Sequence, residues 1–383
     1  MQFILLAASA FLIAVGFIAS LLRVRPIIKT ASLSPSYDDT LLAALPKASV
    51  IIFAHDNADS LSRLLPNVLS QDYPSGFEVI VVNDGESPEV RNLVDRFMLS
   101  HPNLYFTAAP DGARNLSPKK LALTLGVKAA RYPVVVHTTA DACIQSNKWL
   151  AAMMRHFDPE GSTDIVIGYA SAPPYDDRSF GAAARSIDSI IEATGWLAPA
   201  ANRHPWRGTE HNLAYRRDTF FRNKGFSRHL NLRDGDDDIF ISEIARGSNT
   251  AVELSADSIV EVPHFNSPRV FIERYARRRF TKKFIRKRPR IVGTVASTAF
   301  CLAPLPLIAL YLCGPVSVPA AIATAVLFIL WFVSGMIWNS AVRLLHGRKM
   351  RLSTPFLLFS RPCRLAMRNV RTRLSHTKRY TWE

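Results

Sequence analysis

The chain has 383 residues, of which 48% are hydrophobic and 20% charged, too apolar a balance for an ordinary soluble protein. Its formal charge of +16 does not describe a nucleic-acid binder. Residues 269–290 and 341–383 each hold eleven Lys/Arg against one Glu, which leaves the remainder at about −4, and both segments flank apolar runs where they meet anionic headgroups rather than a nucleic-acid backbone.

In chain order, the first apolar run covers residues 3–22. It is followed, not preceded, by Arg23 and Arg25, so it reads as an uncleaved anchor over residues 1–25 rather than a signal peptide. A polar Ser/Pro-containing linker over 26–47 is expected to hold a soluble domain, 48–268, off the membrane. A basic juxtamembrane segment (269–290) leads into two further apolar runs, 291–313 and 318–338, within a membrane unit at 291–340. Basic residues at 23–25, in RKRPR (286–290) and in 343–351 contrast with their absence from 314–317, which places 23–290 and the tail on the cytoplasmic side. No run carries a charge within it, which argues against a transporter. The 341–383 tail mixes apolar residues with arginines at helical spacing and ends near Trp382, as an interfacial amphipathic helix would. Cys143, Cys301, Cys313 and Cys363 include no C-x-x-C pair and read as reduced thiols.

Inside the soluble domain, ASVIIFAH (48–55) reads as a buried strand and DSLSRLLPNVLSQ as a helix. FEVIVVNDG (77–85) is a second strand, SPEVRNLVDRFMLS a second helix, and LYFTAA a short third strand. SPKKLALTLGVKAAR is a helix, and VVVHTTAD (134–141) a strand that delivers a lone carboxylate, Asp141, to its carboxyl end. Such alternation implies a parallel sheet with crossover helices, and ligands bind at the carboxyl rim of such sheets. His55 to Asn57, Asn83 with Asp84, and Asp141 are therefore expected at one rim, although Asn-Asp-Gly is also an ordinary turn. The acidic run DGDDD (234–238) precedes the helical IFISEIARG; most of its carboxylates suit helix capping, and mutual repulsion raises the proton affinity of one, as a general base requires.

Over residues 48–280 these segments, in this order, resemble the membrane-associated family 2 glycosyltransferases of GT-A fold. SVIIFAHDNADS through VVNDG is similar to the nucleotide-binding half, SPKKLALTLGVKAA to the Lys-x-x-Ala-Leu-x-x-Gly segment, and TTADACIQSNKWL to the Asp-x-Asp region. RGTEHNLAYRRDTF and LRDGDDDIFISEIARG are similar to the acceptor-side loop and the base-bearing acidic stretch. The resemblance implies an α/β GT-A domain with a Rossmann-like mixed sheet, carried with one N-terminal and two C-terminal transmembrane helices. It implies donor contacts at Ala54, Asp56, Asn57, Asn83, Asp84 and Lys119, and a divalent cation, Mg²⁺ or Mn²⁺, on Asp141. Glu210, His211 and Asn212 fall in the acceptor loop, Arg277 and Arg279 near the diphosphate, and Asp236, with Asp237 as the alternative, at the base position. Thr139 stands where the first Asp of Asp-x-Asp falls, and YARRRF (275–280) departs from the Gln-Arg-x-Arg-Trp motif of processive synthases.

The expected activity is thus inverting transfer of a sugar from a nucleotide-diphospho-sugar to a lipid-linked or cell-surface glycan precursor at a bacterial inner membrane, with membrane lipids as neighbours and nucleic acid not a partner. A processive polysaccharide synthase and an inactive GT-A scaffold are the rival readings. Asp84, Asp141 and Asp236 are expected to converge on one pyrophosphate-sized hollow.

Overall fold

The computed structural model describes residues 1–33, 39–85, 87–110, 116–158, 161–173, 179–285 and 292–374. Its centre is a sheet built from β1 (Ala48–Ala54), β2 (Phe77–Asn83), β3 (Leu104–Ala108), β4 (Val134–Thr139), β5 (Ile165–Ile167), β7 (Leu213–Arg216) and β8 (Thr250–Val252). A separate pair, β6 (Ala170–Ser171) and β9 (Val260–Glu261), is also parallel. The spatial order of the large sheet is β3-β2-β1-β4-β7-β5-β8. The first four strands are parallel, as their apolar, doubly buried runs demand. β7 is antiparallel to both β4 and β5, so the sheet is mixed, as expected.

Register places the site. Ala54 is opposite Asn83, and Phe53 is opposite Thr139, so β1, β2 and β4 end level and their loops leave the sheet side by side. The helix Pro118–Ala129 lies close against these strands because Gly126 has no side chain; a Cβ there would stand 2.7 Å from Val82 Cγ1. One core fills each face of the sheet, and the larger also takes in the helix Phe180–Ala201 and residues of the apolar helices.

Among the described residues, three helices are long and apolar enough to cross a membrane: Gln2–Ala31, Thr294–Leu312 and Val318–Leu344. The first departs from the expected boundary at residue 25. It continues through Pro26 to Ala31, and Asp39–Ala44 is helical again, so the described parts of the spacer expected over 26–47 are largely helical. The reason is burial: Val24 and Ile27 are fully enclosed in the core that also holds Ile187, Ile190 and Ile191, each such side chain worth about 1.5–3 kcal/mol. The domain sits directly on the anchor rather than off it. The tail is helical over Arg361–Leu374. The RKRPR run and Trp382 lie outside the described residues.

Candidate active site

Ser117 caps the helix Pro118–Ala129, its hydroxyl accepting from the Lys120 amide at 3.4 Å, and Lys119, in the first turn, turns its side chain to the sheet rim. Lys119 Nζ contacts Glu210 and lies 2.9 Å from Asp236 Oδ2, with the Phe53 ring centroid 5.5 Å away. Arg277 Nη2 donates to Glu210 Oε1 at 2.5 Å, and its Nη1 is 3.5 Å from Asp234 Oδ1. Burial alone would lower the Lys119 pKa, but Asp236 and Glu210 reverse this and raise it well above the ordinary lysine value. Burial likewise works against ionisation of Glu210, and Arg277 with Lys119 holds it well below the usual carboxylate range. The enclosed space at this cluster, lined by Phe53, Lys119, Thr139, Glu210, Asp236 and Asp237 among others, is 10 Å³, room for about one water.

Asp237 differs from its neighbours. Burial, then the negative charges of Asp238, Asp236 and Glu210, push its carboxyl up to about 7. Asp238 caps the helix Ile239–Ile244 through the Ile239 amide at 2.7 Å and also accepts from Thr281. The capping function expected of this acidic run thus falls to Asp238, which leaves Asp236 and Asp237 facing the enclosed space.

At the end of β4, Asp141 is half exposed. Thr139 Oγ1 donates to Asp141 Oδ1 at 2.5 Å and lies 2.6 Å from His211 Nδ1, which is itself 3.8 Å from Asp141 Oδ1. Burial lowers the His211 pKa against the opposite pull of Asp141 and Glu210. Among the described residues no group of three or more His, Cys, Asp or Glu is placed to hold a metal. A carboxylate, a hydroxyl and an imidazole fit a divalent cation that takes its remaining ligands from water and substrate phosphates.

The β1 and β2 ends form the other flank. His55 Nδ1 is 2.8 Å from Asp84 Oδ1, and Asn57 Oδ1 accepts from the His55 amide at 3.1 Å. Asp56 has φ +48°, a left-handed conformation that Asp tolerates better than most residues and that turns the loop away from the strand. Asn83 is buried, donating to Gly85 O at 2.7 Å while its Oδ1 has no partner. Ala54 is fully buried and offers the rim only its backbone.

Three expectations need correction. Asn212 does not face a substrate: it is fully buried, accepting from Trp149 Nε1 at 3.1 Å and donating to Tyr169 O at 3.0 Å and Ser258 O at 2.7 Å, so its amide pins the acceptor loop to the core. Arg279 does not join Arg277. Two residues along a helix rotate the side chain by about 200°, and Arg279 Nη1 donates to Asn369 of the C-terminal helix at 3.1 Å. The cavity at this cluster, about 10 Å³, is smaller than the expected pyrophosphate-sized hollow, and neither Asp84 nor Asp141 lines it; Glu210 pairs with both Lys119 and Arg277 there.

Lys120 was not anticipated. It is fully buried, its ammonium donating to His229 O at 2.7 Å and Asp234 O at 2.8 Å, and burial lowers its pKa to about 8. The signal was the pair of adjacent lysines after a Ser-Pro helix start: both cannot face the same way, so one had to enter the domain.

A mixed GT-A sheet with acidic and cationic side chains at the carboxyl rim defines the class, a nucleotide-sugar transferase fold. Residues 49–216 match the family model for glycosyl transferase family 2. The chain is similar to the mannosyltransferase PcManGT from Pyrobaculum calidifontis, solved in complex with GDP-Man and Mn²⁺, at 20% identity and TM-score 0.56, covering 94% of this chain and 98% of that one. It also matches TarS (1–349) of S. aureus at 15% identity and TM-score 0.40, covering 87% and 93% of the two chains. Residues 49–216 are thus a glycosyl transferase family 2 domain, with apolar helices on both sides of it.

Proposed function

We propose that the enzyme moves a sugar from a nucleotide-diphospho-sugar to a lipid-linked or surface-glycan acceptor at the cytoplasmic face of a bacterial inner membrane, inverting the anomeric carbon. The observation that carries this reading is Lys119 held between Glu210 and Asp236, with Arg277 on the far side of Glu210. Two cations sharing one carboxylate are a diphosphate site in its closed form. The donor diphosphate takes Lys119 and Arg277 from Glu210, since it offers more negative charge and better fork geometry to the guanidinium. Lys119 then releases Asp236, the base position.

Asp236 accepts the proton of the acceptor hydroxyl. The resulting oxygen attacks the anomeric carbon from the face opposite the nucleotide, the sugar–phosphate bond breaks, and the electron pair leaves on the diphosphate. Asp237, holding a proton up to about pH 7, keeps the pair from carrying two full charges. Asp141 and His211 would hold Mg²⁺ or Mn²⁺, which neutralises the departing phosphates when bound. The P. calidifontis relative, solved with Mn²⁺ and GDP-Man, supports both ligands. His55, Asn57 and Asp84 line the flank where a nucleoside would lie. Basic residues beside the apolar helices support the cytoplasmic orientation.

The test is nucleotide release by purified full-length protein in lipid, with Mg²⁺ or Mn²⁺ and a panel including GDP-mannose and UDP-glucose. At least one donor should be consumed, with loss in Asp236→Asn and Asp141→Ala at unchanged thermal midpoint. Consumption of none, or full activity in both variants, would sink the proposal. Product anomers read by NMR decide inversion.

A further inference from the structure

Lys119 and Lys120 are neighbours at the start of the helix Pro118–Ala129, and one turns to the sheet rim while the other turns into the domain. Lys119 meets Asp236 and Glu210, partners that a donor phosphate can displace. Lys120 is fully buried and reaches no substrate. Its ammonium has three N–H groups and finds three acceptors: His229 O at 2.7 Å, Asp234 O at 2.8 Å and His229 Nδ1 at 2.9 Å. An ammonium only donates, so Nδ1 accepts and the ring proton stands on Nε2, which is buried without a hydrogen-bond partner among the described residues. Burial, followed by the Lys120 charge, lowers the His229 pKa to about 4, so the ring is neutral at physiological pH.

Both carbonyls belong to the segment that carries the candidate base. Between the short 3-10 turn Ser227–His229 and the helix Ile239–Ile244, residues 230–238 belong to no helix or named strand, so contacts with other elements have to fix their position. The helix start supplies them. Ser117 N donates to Leu230 O at 2.9 Å and Ser117 Oγ to Arg233 O at 3.0 Å, while Lys120 holds His229 and Asp234 on either side. The chain then turns at Gly235, whose φ of +113° suits glycine and where a Cβ would stand 2.5 Å from Ile239 Cδ1. Asp234 thereby gives its carbonyl to Lys120, and Asp236, two residues on, gives its carboxylate to Lys119.

The two lysines respond differently to a donor. A diphosphate that draws Lys119 away removes the one contact above that touches the Asp236 carboxylate, whereas the Lys120 contacts are out of its reach. We propose that Lys120 is a positioning residue for the transfer step: its enclosed ammonium keeps the turn at 234–238, and so the Asp236 carboxylate, fixed to the helix start after the donor has taken Lys119. This rests on the reading of Asp236 as the base. The charged and titratable groups that act on Lys120 are Lys119 on its own helix and Asp234, Asp236, Asp238 and His229 on the facing segment, so its charge also bears on the base.

The experiment uses full-length protein in lipid with Mn²⁺ and a donor that wild type consumes from the panel that includes GDP-mannose and UDP-glucose. Nucleotide release is followed from pH 5 to 9, with the thermal midpoint alongside. Lys120→Met should lower kcat by about tenfold or more, the scale of a displaced reacting group, while the donor KM, set by Lys119 and Arg277, changes by less than about threefold. The acid limb of kcat should move to higher pH by about half a unit or more, because a carboxylate that loses a nearby cation holds its proton more firmly. Lys120→Arg keeps the charge and should leave the limb in place. If Lys120→Met does not fold, Ser117→Ala removes the tie to Arg233 O and leaves the ammonium, and kcat should fall by about threefold at unchanged KM.

A stationary limb in Lys120→Met, or an equal displacement in the Met and Arg variants, would make Lys120 a structural cation and overturn the inference. So would a KM rise as large as the kcat loss, or wild-type kcat in Lys120→Met or in Ser117→Ala. An active wild type with unaltered variants sinks only this inference, whereas a wild type that consumes no donor sinks the functional reading and this inference with it.

Discussion

Lys119 Nζ and Asp236 Oδ2 stand 2.9 Å apart, with side chains only 14% and 6% exposed, so the cation that would meet the donor also restrains the candidate base. Replacing Lys119 should therefore do two opposite things. Lys119→Met removes charge stabilisation of the leaving diphosphate, and kcat/KM for the donor should fall by roughly 10²-fold, the scale found for lost transition-state electrostatics. It also leaves Asp236 and Glu210 short of a cation, so the thermal midpoint should fall too. Lys119→Arg should recover most of the stability and part of the activity. Equal activity of the Met and wild-type enzymes would remove Lys119 from the mechanism.

The pH dependence of stability tests Asp237. Its carboxyl, raised from 3.8 to about 7, holds a proton in the folded chain where the unfolded chain has lost it. The folded state therefore binds more protons between these values, and stability is fully present below about pH 4 and drains away as pH rises toward 7. Asp237→Asn is neutral throughout. Its advantage over wild type should be absent at acid pH, grow through this window and level off above it, with a ceiling on the order of 4 kcal/mol for about three pKa units. Thermal midpoints measured from pH 4 to 8 decide it; an advantage largest at low pH contradicts the assignment.

For the cation, Asp141 and His211 should behave as a pair. Asp141→Ala removes the carboxylate beside His211 Nδ1 and should abolish Mn²⁺-stimulated nucleotide release. His211→Ala should raise the Mn²⁺ concentration needed for half-maximal release by about 10-fold or more while leaving activity recoverable at high metal, the scale seen when a ligand-supporting group is lost. A metal titration separates the two. An unchanged curve in His211→Ala would make the ring purely a partner of Thr139.

Legibility in the sequence followed the range of the forces involved. β1, β2 and β4 announce themselves because each is a continuous apolar run buried on both faces, and their level ends follow from parallel register. β5, β6, β8 and β9 are two or three residues long, and so short a run has no periodicity to read. The helix Phe180–Ala201 was missed for a different reason. Its buried face carries Ser186, Asp188 and Thr194, polar residues that make sense only beside partners such as Arg364 and Arg368, distant in the chain. Asp141 and Lys119 were legible as the end of a strand and the start of a helix, whereas Asp236 rested on the family resemblance, and Asn212 was misread because a loop motif does not reveal which of its polar groups turn inward.

The anchor is locked to the catalytic domain at Gly195. Arg23 Nη2 donates to Ile191 O at 2.6 Å, and a Cβ on Gly195 would stand 2.5 Å from that same nitrogen. Gly195→Val should expel the guanidinium and open the contact between the first helix and Phe180–Ala201, at a cost of about 1–3 kcal/mol for overpacking. Arg23→Met in the Gly195→Val background should recover part of the loss, since no guanidinium is then displaced. A non-additive pair of thermal midpoints is the expected result; simple additivity would place the strain elsewhere.

Asp188 gives the sharpest separation between fold and docking. Arg361, Arg364 and Arg368 occupy one face of the helix Arg361–Leu374, at spacings of three and four residues, and all reach this single carboxylate, which is 4% exposed. Removing the charge by Asp188→Asn leaves three guanidiniums clustered without a counter-ion, a loss on the order of 3–5 kcal/mol for a buried pair. The parallel strands do not touch this cluster, so β1, β2 and β4 should keep their amide protection. The C-terminal helix should instead exchange its amides faster and become cleavable by trypsin after the freed arginines. Protection that stays at the wild-type level would mean that apolar contacts, not this carboxylate, dock the helix.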